Sequence, residues 1–157
     1  MKGNIFLLRW RYILEAHKMS VDRGIRNNNP GNIDYNPINN WQGQLKVDNT
    51  IEPRFCRFDT PENGIRALGK LLQTYQRKHG LKTVKAIISR WAPATENNTN
   101  AYVKSVEAYT NTKPGAEIDL REHDILKGMV KAIIRHENSN YEYPDVILSE
   151  GVRRALA

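Results

Sequence analysis

Glu137 follows a run of apolar residues, Leu126, Met129, Val130, Ile133 and Ile134, spaced as one face of a helix. Continuing the 3.6-residue period puts its carboxylate on or beside that face. A carboxylate held against aliphatic side chains resists ionisation, and the negative end of a helix dipole pushes the same way. Its pKa is then expected to rise toward the range of a general acid working near neutral pH. The bland alternative is that Glu137 frays into solvent or pairs with Lys131, Arg135 or His136. Adjacency to His136 makes no acid–base pair, because successive helical residues point about 100° apart, and a partly exposed histidine is the simpler reading.

The second stretch with chemical potential is Arg23-Gly24-Ile25-Arg26-Asn27-Asn28-Asn29-Pro30-Gly31-Asn32-Ile33. Asparagine accepts left-handed backbone and hydrogen-bonds its neighbours, and Pro-Gly supplies a fixed turn, so the run reads as a shaped loop rich in side-chain amides. Such a loop suits a ligand rich in hydroxyl and amide groups; the plainer reading is a turn between two elements. A second amide-rich loop around a proline, Ala92 to Thr99, has the same character. Trp41 and Trp91 either stack on sugar rings or bases or, by default, fill the interior.

These residues need elements to hold them. Trp41-Gln42-Gly43 and Arg54-Phe55-Cys56-Arg57-Phe58 read as short extended segments, predicting a small β-hairpin or three-stranded sheet between Asp34 and Asp59. Thr60-Pro61-Glu62 opens a helix with a cap, a proline at its first position and an acid in its positive first turn. That helix carries Ile65, Leu68, Leu71, Leu72 and Tyr75 and stops near His79-Gly80. A second is predicted from Thr83 through Trp91, a third bears Tyr102, Val103, Val106 and Tyr109, and the helix of Glu137 follows an Asp119–Glu122 pair with the spacing of an N-terminal box. Val146-Ile147-Leu148 predicts a terminal helix.

With 157 residues the chain is the length of one domain, and its net charge of +7 favours anionic partners such as nucleic acid, acidic cell-wall polymer or anionic lipid. The basic residues are scattered along the helices, which argues against a nucleic-acid groove. Cys56 is the one cysteine, so no internal disulfide is possible. There is no Cys/His cluster with metal-ligand spacing, no glycine-rich phosphate loop and no serine-nucleophile motif. Ile5-Phe6-Leu7-Leu8 is far shorter than the roughly 20 apolar residues of a membrane span, and no cleavage site marks a signal peptide. Residues 1–18 are expected to be a basic helix or extension, and residues 19–157 a single domain beginning near Met19.

The Arg23–Ile33 run, Trp41-Gln42-Gly43, Pro61-Glu62-Asn63-Gly64-Ile65-Arg66-Ala67, Trp91-Ala92-Pro93, Glu96-Asn97-Asn98-Thr99 and Ile134-Arg135-His136-Glu137-Asn138 together resemble a family of bacteriophage and prophage proteins, virion structural or lysozyme-like. The resemblance runs from about Asp22 to Asn140, with Asn138-Ser139 standing where Asn-Gly is expected. Asn27 to Tyr75 also looks like the part of lysozyme-superfold glucosaminidases and lytic transglycosylases that follows their catalytic helix, and Ala132 to Asn138 is similar to that helix. The resemblance implies an α+β fold, mostly α-helical and lysozyme-like, with a small β-hairpin and a circularly permuted order. Glu15 is the unpermuted competitor of Glu137.

What the resemblance implies is a peptidoglycan-cleaving glycosidase without cofactor or metal. Glu137 would protonate the leaving oxygen of a β-1,4 bond as an oxocarbenium-like centre develops. Asn27, Asn29, Asn32 and Tyr102 would bind N-acetyl and hydroxyl groups, with Trp41 as a further contact. A second carboxylate lies about 5 Å away in retaining enzymes and about 6.5–9.5 Å away in inverting ones. Asp34 and Glu62, with Asp48 and Glu52 behind them, are the candidates, and lytic transglycosylases manage with a single Glu. Without a signal the enzyme would be made in the host cytoplasm and reach the cell wall by a holin or be carried in the virion among virion proteins. Two rivals stand beside it, a non-catalytic virion or tail component and a basic nucleic-acid-binding module.

Overall fold

The computed structural model describes residues 21–92 and 99–157. The expectations for residues 1–18, Glu15 and Met19, and for most of the second amide-rich loop, therefore lie outside the described residues. Those described are 53% helical, in six helices: α1 (Arg23–Arg26), α2 (Pro61–His79), α3 (Val84–Trp91), α4 (Thr99–Thr110), α5 (His123–Glu137) and α6 (Asp145–Leu156).

Local chemistry sets most of their ends. The Thr60 hydroxyl accepts from Asn63 N at 3.3 Å with Pro61 in the first turn, and Gly80 closes α2 in the left-handed region at φ 59°. Thr83 caps α3 by accepting from Ala86 N at 3.1 Å. The expected Asp119–Glu122 box does not form, because Asp119 Oδ1 accepts instead from Arg121 N at 2.9 Å and Glu122 caps α5 with no side-chain bond. An Asx turn has taken the carboxylate that the box needed.

The main core is built from the inward stripes of α2 to α6, including Ile65, Leu68, Leu72, Ile87, Ile88, Val106, Leu126, Met129, Ile133 and Val152. Small residues let the helices approach closely. A Cβ on Gly69 of α2 would sit 2.7 Å from Ala155 Cβ of α6, and one on Gly151 of α6 would sit 2.5 Å from Ile65 Cβ of α2.

The expected sheet does not form. Among the described residues the extended segment makes only the isolated antiparallel bridges Asp34 to Phe55 and Gln44 to Phe58, with a third, Thr83 to Glu117, elsewhere. This overturns the lysozyme-like α+β arrangement and the circular permutation built on it. The cause is visible in the hydrogen bonds. Asn29 Nδ2 donates to Cys56 O at 2.9 Å and Asn28 Nδ2 to Phe58 O at 3.2 Å, so side-chain amides satisfy carbonyls that a neighbouring strand would otherwise take. Pro37 and Pro53 lack N–H donors on the same stretch, and turns at Asn36–Asn39 and Asp48–Ile51 break it further. A small second core of Ile33, Cys56, Phe58 and Ala67 fastens this lobe to α2.

Candidate active site

The loop after α1 is shaped by its asparagines from the inside. Asn28 and Asn32 take left-handed backbone, at φ 50° and 48°, as asparagine tolerates. Asn29 is wholly buried: its Oδ1 accepts from Ile33 N at 3.0 Å and its Nδ2 donates to Ile33 O at 3.0 Å and to Cys56 O. Asn27 is buried too, donating to Glu52 Oε1 at 3.0 Å. Asn29 is thus turned inward with both ends of its amide bonded within the lobe, and Asn27 gives its Nδ2 to Glu52.

Glu52 is the hub beneath this loop. It is buried, and five hydrogen bonds converge on it: Arg23 Nε and Nη2, both at 2.6 Å, Asn27 Nδ2 at 3.0 Å, and the backbone N–H groups of Arg54 and Phe55, both at 2.8 Å. The Arg23 guanidinium, before all else, holds its carboxyl far below the usual range; the Phe55 and Arg54 amides and Asn27 add to this, against an opposing push from burial. So fully donated a carboxylate is a structural anchor. Asp48 is similarly occupied, its Oδ1 accepting from Thr50 Oγ1 at 2.5 Å and Thr50 N at 2.9 Å. Glu62 stays half-buried in the first turn of α2, where its sequence position explains it.

Above the hub opens a cleft of about 570 Å³. One part of its lining comes from the loop and extended lobe, with Gly31, Asn32, Ile33, Asp34, Tyr35, Asn36, Asn39, Trp41, Arg54 and Phe55. The rest comes from helices: Leu71 and Tyr75 of α2, Trp91 at the end of α3 with Ala92, and Glu137, the last residue of α5. Glu137 is half-buried. Of the four candidate second carboxylates only Asp34 lines this cleft, and Arg54 Nε meets its Oδ1 at 2.7 Å.

Both tryptophans are part core and part cleft wall. Trp41 packs on the small core and Trp91 on the main one, and each presents part of its half-buried surface to the cleft. Tyr75 stands between burial, which pushes its hydroxyl pKa up, and the Arg90 guanidinium 5.3 Å from its ring centre, which pulls it down; burial prevails. Tyr102 does not line the cleft. It is buried under the end of α5, where its ring stacks on exposed His136 with centroids 3.7 Å apart.

Sequence reading thus brings Glu137, Asn32, Asp34 and Trp41 to one cleft and leaves Asn27, Asn29, Tyr102 and Glu62 off it. It overlooked Tyr35, Asn36, Asn39, Arg54, Phe55 and Tyr75. The amides at Asn36, Asn39 and Asn40 around Pro37 were a usable signal, being the same amide-and-proline composition as the first loop. Tyr75 lies at core spacing, and nothing in the period distinguishes it from an interior residue.

The chain is 36% identical over 123 residues to Protein P5 of Pseudoalteromonas phage PM2, an alignment covering 77% of this chain and 74% of that protein. The chain belongs to the family of this phage protein. No family model matches it. A relationship to Protein P5 over most of both chains sets the molecule among phage proteins, and the name of that relative carries no chemistry. Among the described residues no helix is long and apolar enough to cross a membrane, and no group of three or more His, Cys, Asp or Glu is placed to hold a metal ion.

Proposed function

We propose that this phage protein cleaves the glycan strands of peptidoglycan, with Glu137 as the general acid. The observation that supports this most is the company Glu137 keeps: one cleft unites a half-buried carboxylate at a helix end with the amide of Asn32 and five aromatic rings, those of Tyr35, Trp41, Phe55, Tyr75 and Trp91. Aromatic faces bind the apolar faces of sugar rings and amides bind their N-acetyl groups, so the lining suits an N-acetylated glycan.

Glu137 delivers its proton to the leaving oxygen as positive charge develops at the sugar carbon. Two routes complete the reaction. Asp34, in the same cleft and paired with Arg54, can activate a water and give a reducing-end product. Alternatively a hydroxyl of the substrate closes on the sugar carbon and gives its proton back to Glu137, by then a carboxylate, and an anhydro-muropeptide is released with Glu137 alone.

The test is muropeptide release from purified peptidoglycan. The wild-type chain is expected to release reducing or anhydro products, and Glu137→Gln to lose at least about 100-fold of the rate per folded molecule, the scale of a general acid's contribution. Activity that survives the substitution sinks the assignment. No release by the wild type, with glycan binding intact, supports a non-catalytic virion component instead.

Tyr35 checks the cleft separately from the acid. Its side chain is 41% exposed and belongs to neither core cluster, so its removal should leave stability alone. Tyr35→Ala is expected to raise KM for glycan strands about tenfold, the worth of one ring contact, with kcat within about threefold. An unchanged KM would place the substrate elsewhere.

A further inference from the structure

We propose that Asn138 is a positioning residue for Glu137: its carboxamide fastens the last turn of α5 to the asparagine loop and so fixes the acid in the cleft that Asn32 and Asp34 also line. The inference rests on the reading of Glu137 as the acid. Asn138 caps α5 one residue after Glu137 and is 1% exposed. Its Nδ2 donates to Ile134 O at 2.9 Å within the helix and to Pro30 O at 2.8 Å, a partner 108 residues away in sequence. One amide group therefore bonds both the helix that ends in Glu137 and the residue that precedes Gly31 and Asn32 on the cleft.

The other half of the carboxamide is fitted as closely. Asn138 Oδ1 is buried without a hydrogen-bond partner, and a Cβ built on Gly24 would lie 2.5 Å from it. The same Cβ would lie 2.9 Å from Asn32 Oδ1 and 2.9 Å from Asn29 O. Residue 24 is a glycine in a helical turn, with no positive φ to account for it. Its bare Cα is the seat on which the two amides lie, and the Arg-Gly pair that opens the loop is thereby tied to the Glu-Asn pair that ends α5.

A second tie runs alongside. Ser139 Oγ meets Asp22 Oδ1 at 3.2 Å, but both groups are exposed, so water competes with it. The buried amide is the stiffer link. An amide that served only the fold would lower the melting temperature when removed and leave each folded molecule as active as before. One that orients the acid acts on the chemical step, where misplacement of about 1 Å costs about 100-fold.

The experiment uses the full chain acting on soluble glycan strands from purified peptidoglycan, with rates normalised to the folded fraction. Asn138→Ala is expected to lower kcat about 100-fold with KM within about threefold. Gly24→Ala, which leaves Asn138 in place but displaces its carboxamide, is expected to lower kcat about tenfold, and Asn138→Ser gives the same readout as the alanine variant should that variant fail to fold. Unchanged kcat per folded molecule in these variants, with Glu137→Gln inactive, overturns the positioning role alone. A Glu137→Gln variant as active as wild type removes the acid and the positioning role together.

Discussion

Glu52→Gln is expected to lower stability by about 3 kcal/mol and the melting temperature by about 10 °C, measured by denaturant and thermal unfolding. The isosteric amide keeps the shape of the side chain and loses its function as a universal acceptor. Five donated hydrogen bonds converge on the carboxylate from Arg23, Asn27 and the Arg54 and Phe55 backbones. In the variant one oxygen remains, and the new NH2 aims its hydrogens either at Arg23 Nε and Asn27 or at Arg23 Nη2 and the two backbone amides. Leaving buried donors unpaired costs more than a hydrogen bond is worth. Arg23 is 40% exposed and can rehydrate, which keeps the loss at the lower end of the range for a broken buried pair.

The same site has a signed pH dependence. The folded-state pKa of Glu52 is depressed from its ordinary 4.5, so its contribution is fully present above that value and is lost as pH falls toward the folded pKa. Wild type should therefore lose stability on acidification below about pH 4.5, and its margin over Glu52→Gln should narrow in the same interval. A margin that stays constant from pH 7 to pH 3 would show that the Arg23–Glu52 contact contributes nothing as an ion pair. The site also reaches the cleft: Phe55, whose amide Glu52 holds and whose ring lies 4.6 Å from the Arg23 guanidinium carbon, is part of the cleft wall.

The helices were legible because their signals are local. Thr60-Pro61-Glu62 and Gly80 bound α2 where propensity and capping put its ends, and the period Leu126 to Ile134 carries Glu137 to the edge of the buried face. The extended lobe was less legible, because side chains share its pairing with the backbone: Cys56 N meets Ile33 O at 2.9 Å, while Cys56 O meets a side-chain amide. Alternation at Arg54 to Phe58 looks the same whether Cys56 O is met by a strand or by Asn29 Nδ2. For the same reason Asn27 and Asn29 read as ligand-binding amides: composition reports how many amides a loop has, and only tertiary structure decides which of them face inward. Asn138 was hidden in another way, since a bond spanning 108 residues leaves no trace in local spacing.

Gly64→Ala is expected to be the most damaging methyl group added to any of the described glycines, costing more than about 3 kcal/mol, the upper end for overpacking. Gly64 is buried in the first turns of α2 under the asparagine loop. A Cβ there would run into the carbonyl of Asn28, with Pro30 Cδ a further 3.1 Å neighbour. Relief would require the loop to move, and every route is blocked. Asn28 is held at φ 50° with its side chain on Phe58 O, Asn29 is bonded on both sides of its amide, and Pro30 O is held by Asn138. The helix cannot yield either, since Gly151 of α6 lies against Ile65, the next residue. Gly80→Ala is the matching control: its φ of 59° disfavours a side chain, yet no atom lies within 4 Å of the new Cβ, so about 1 kcal/mol is the expected cost. Equal melting temperatures for the two variants would mean that the loop is not seated on α2 as described. A Gly64→Ala protein that folds yet lacks the glycan cleavage proposed for wild type would instead show that the strain is relieved by lifting the loop from the cleft, carrying Pro30 and the end of α5 out of register.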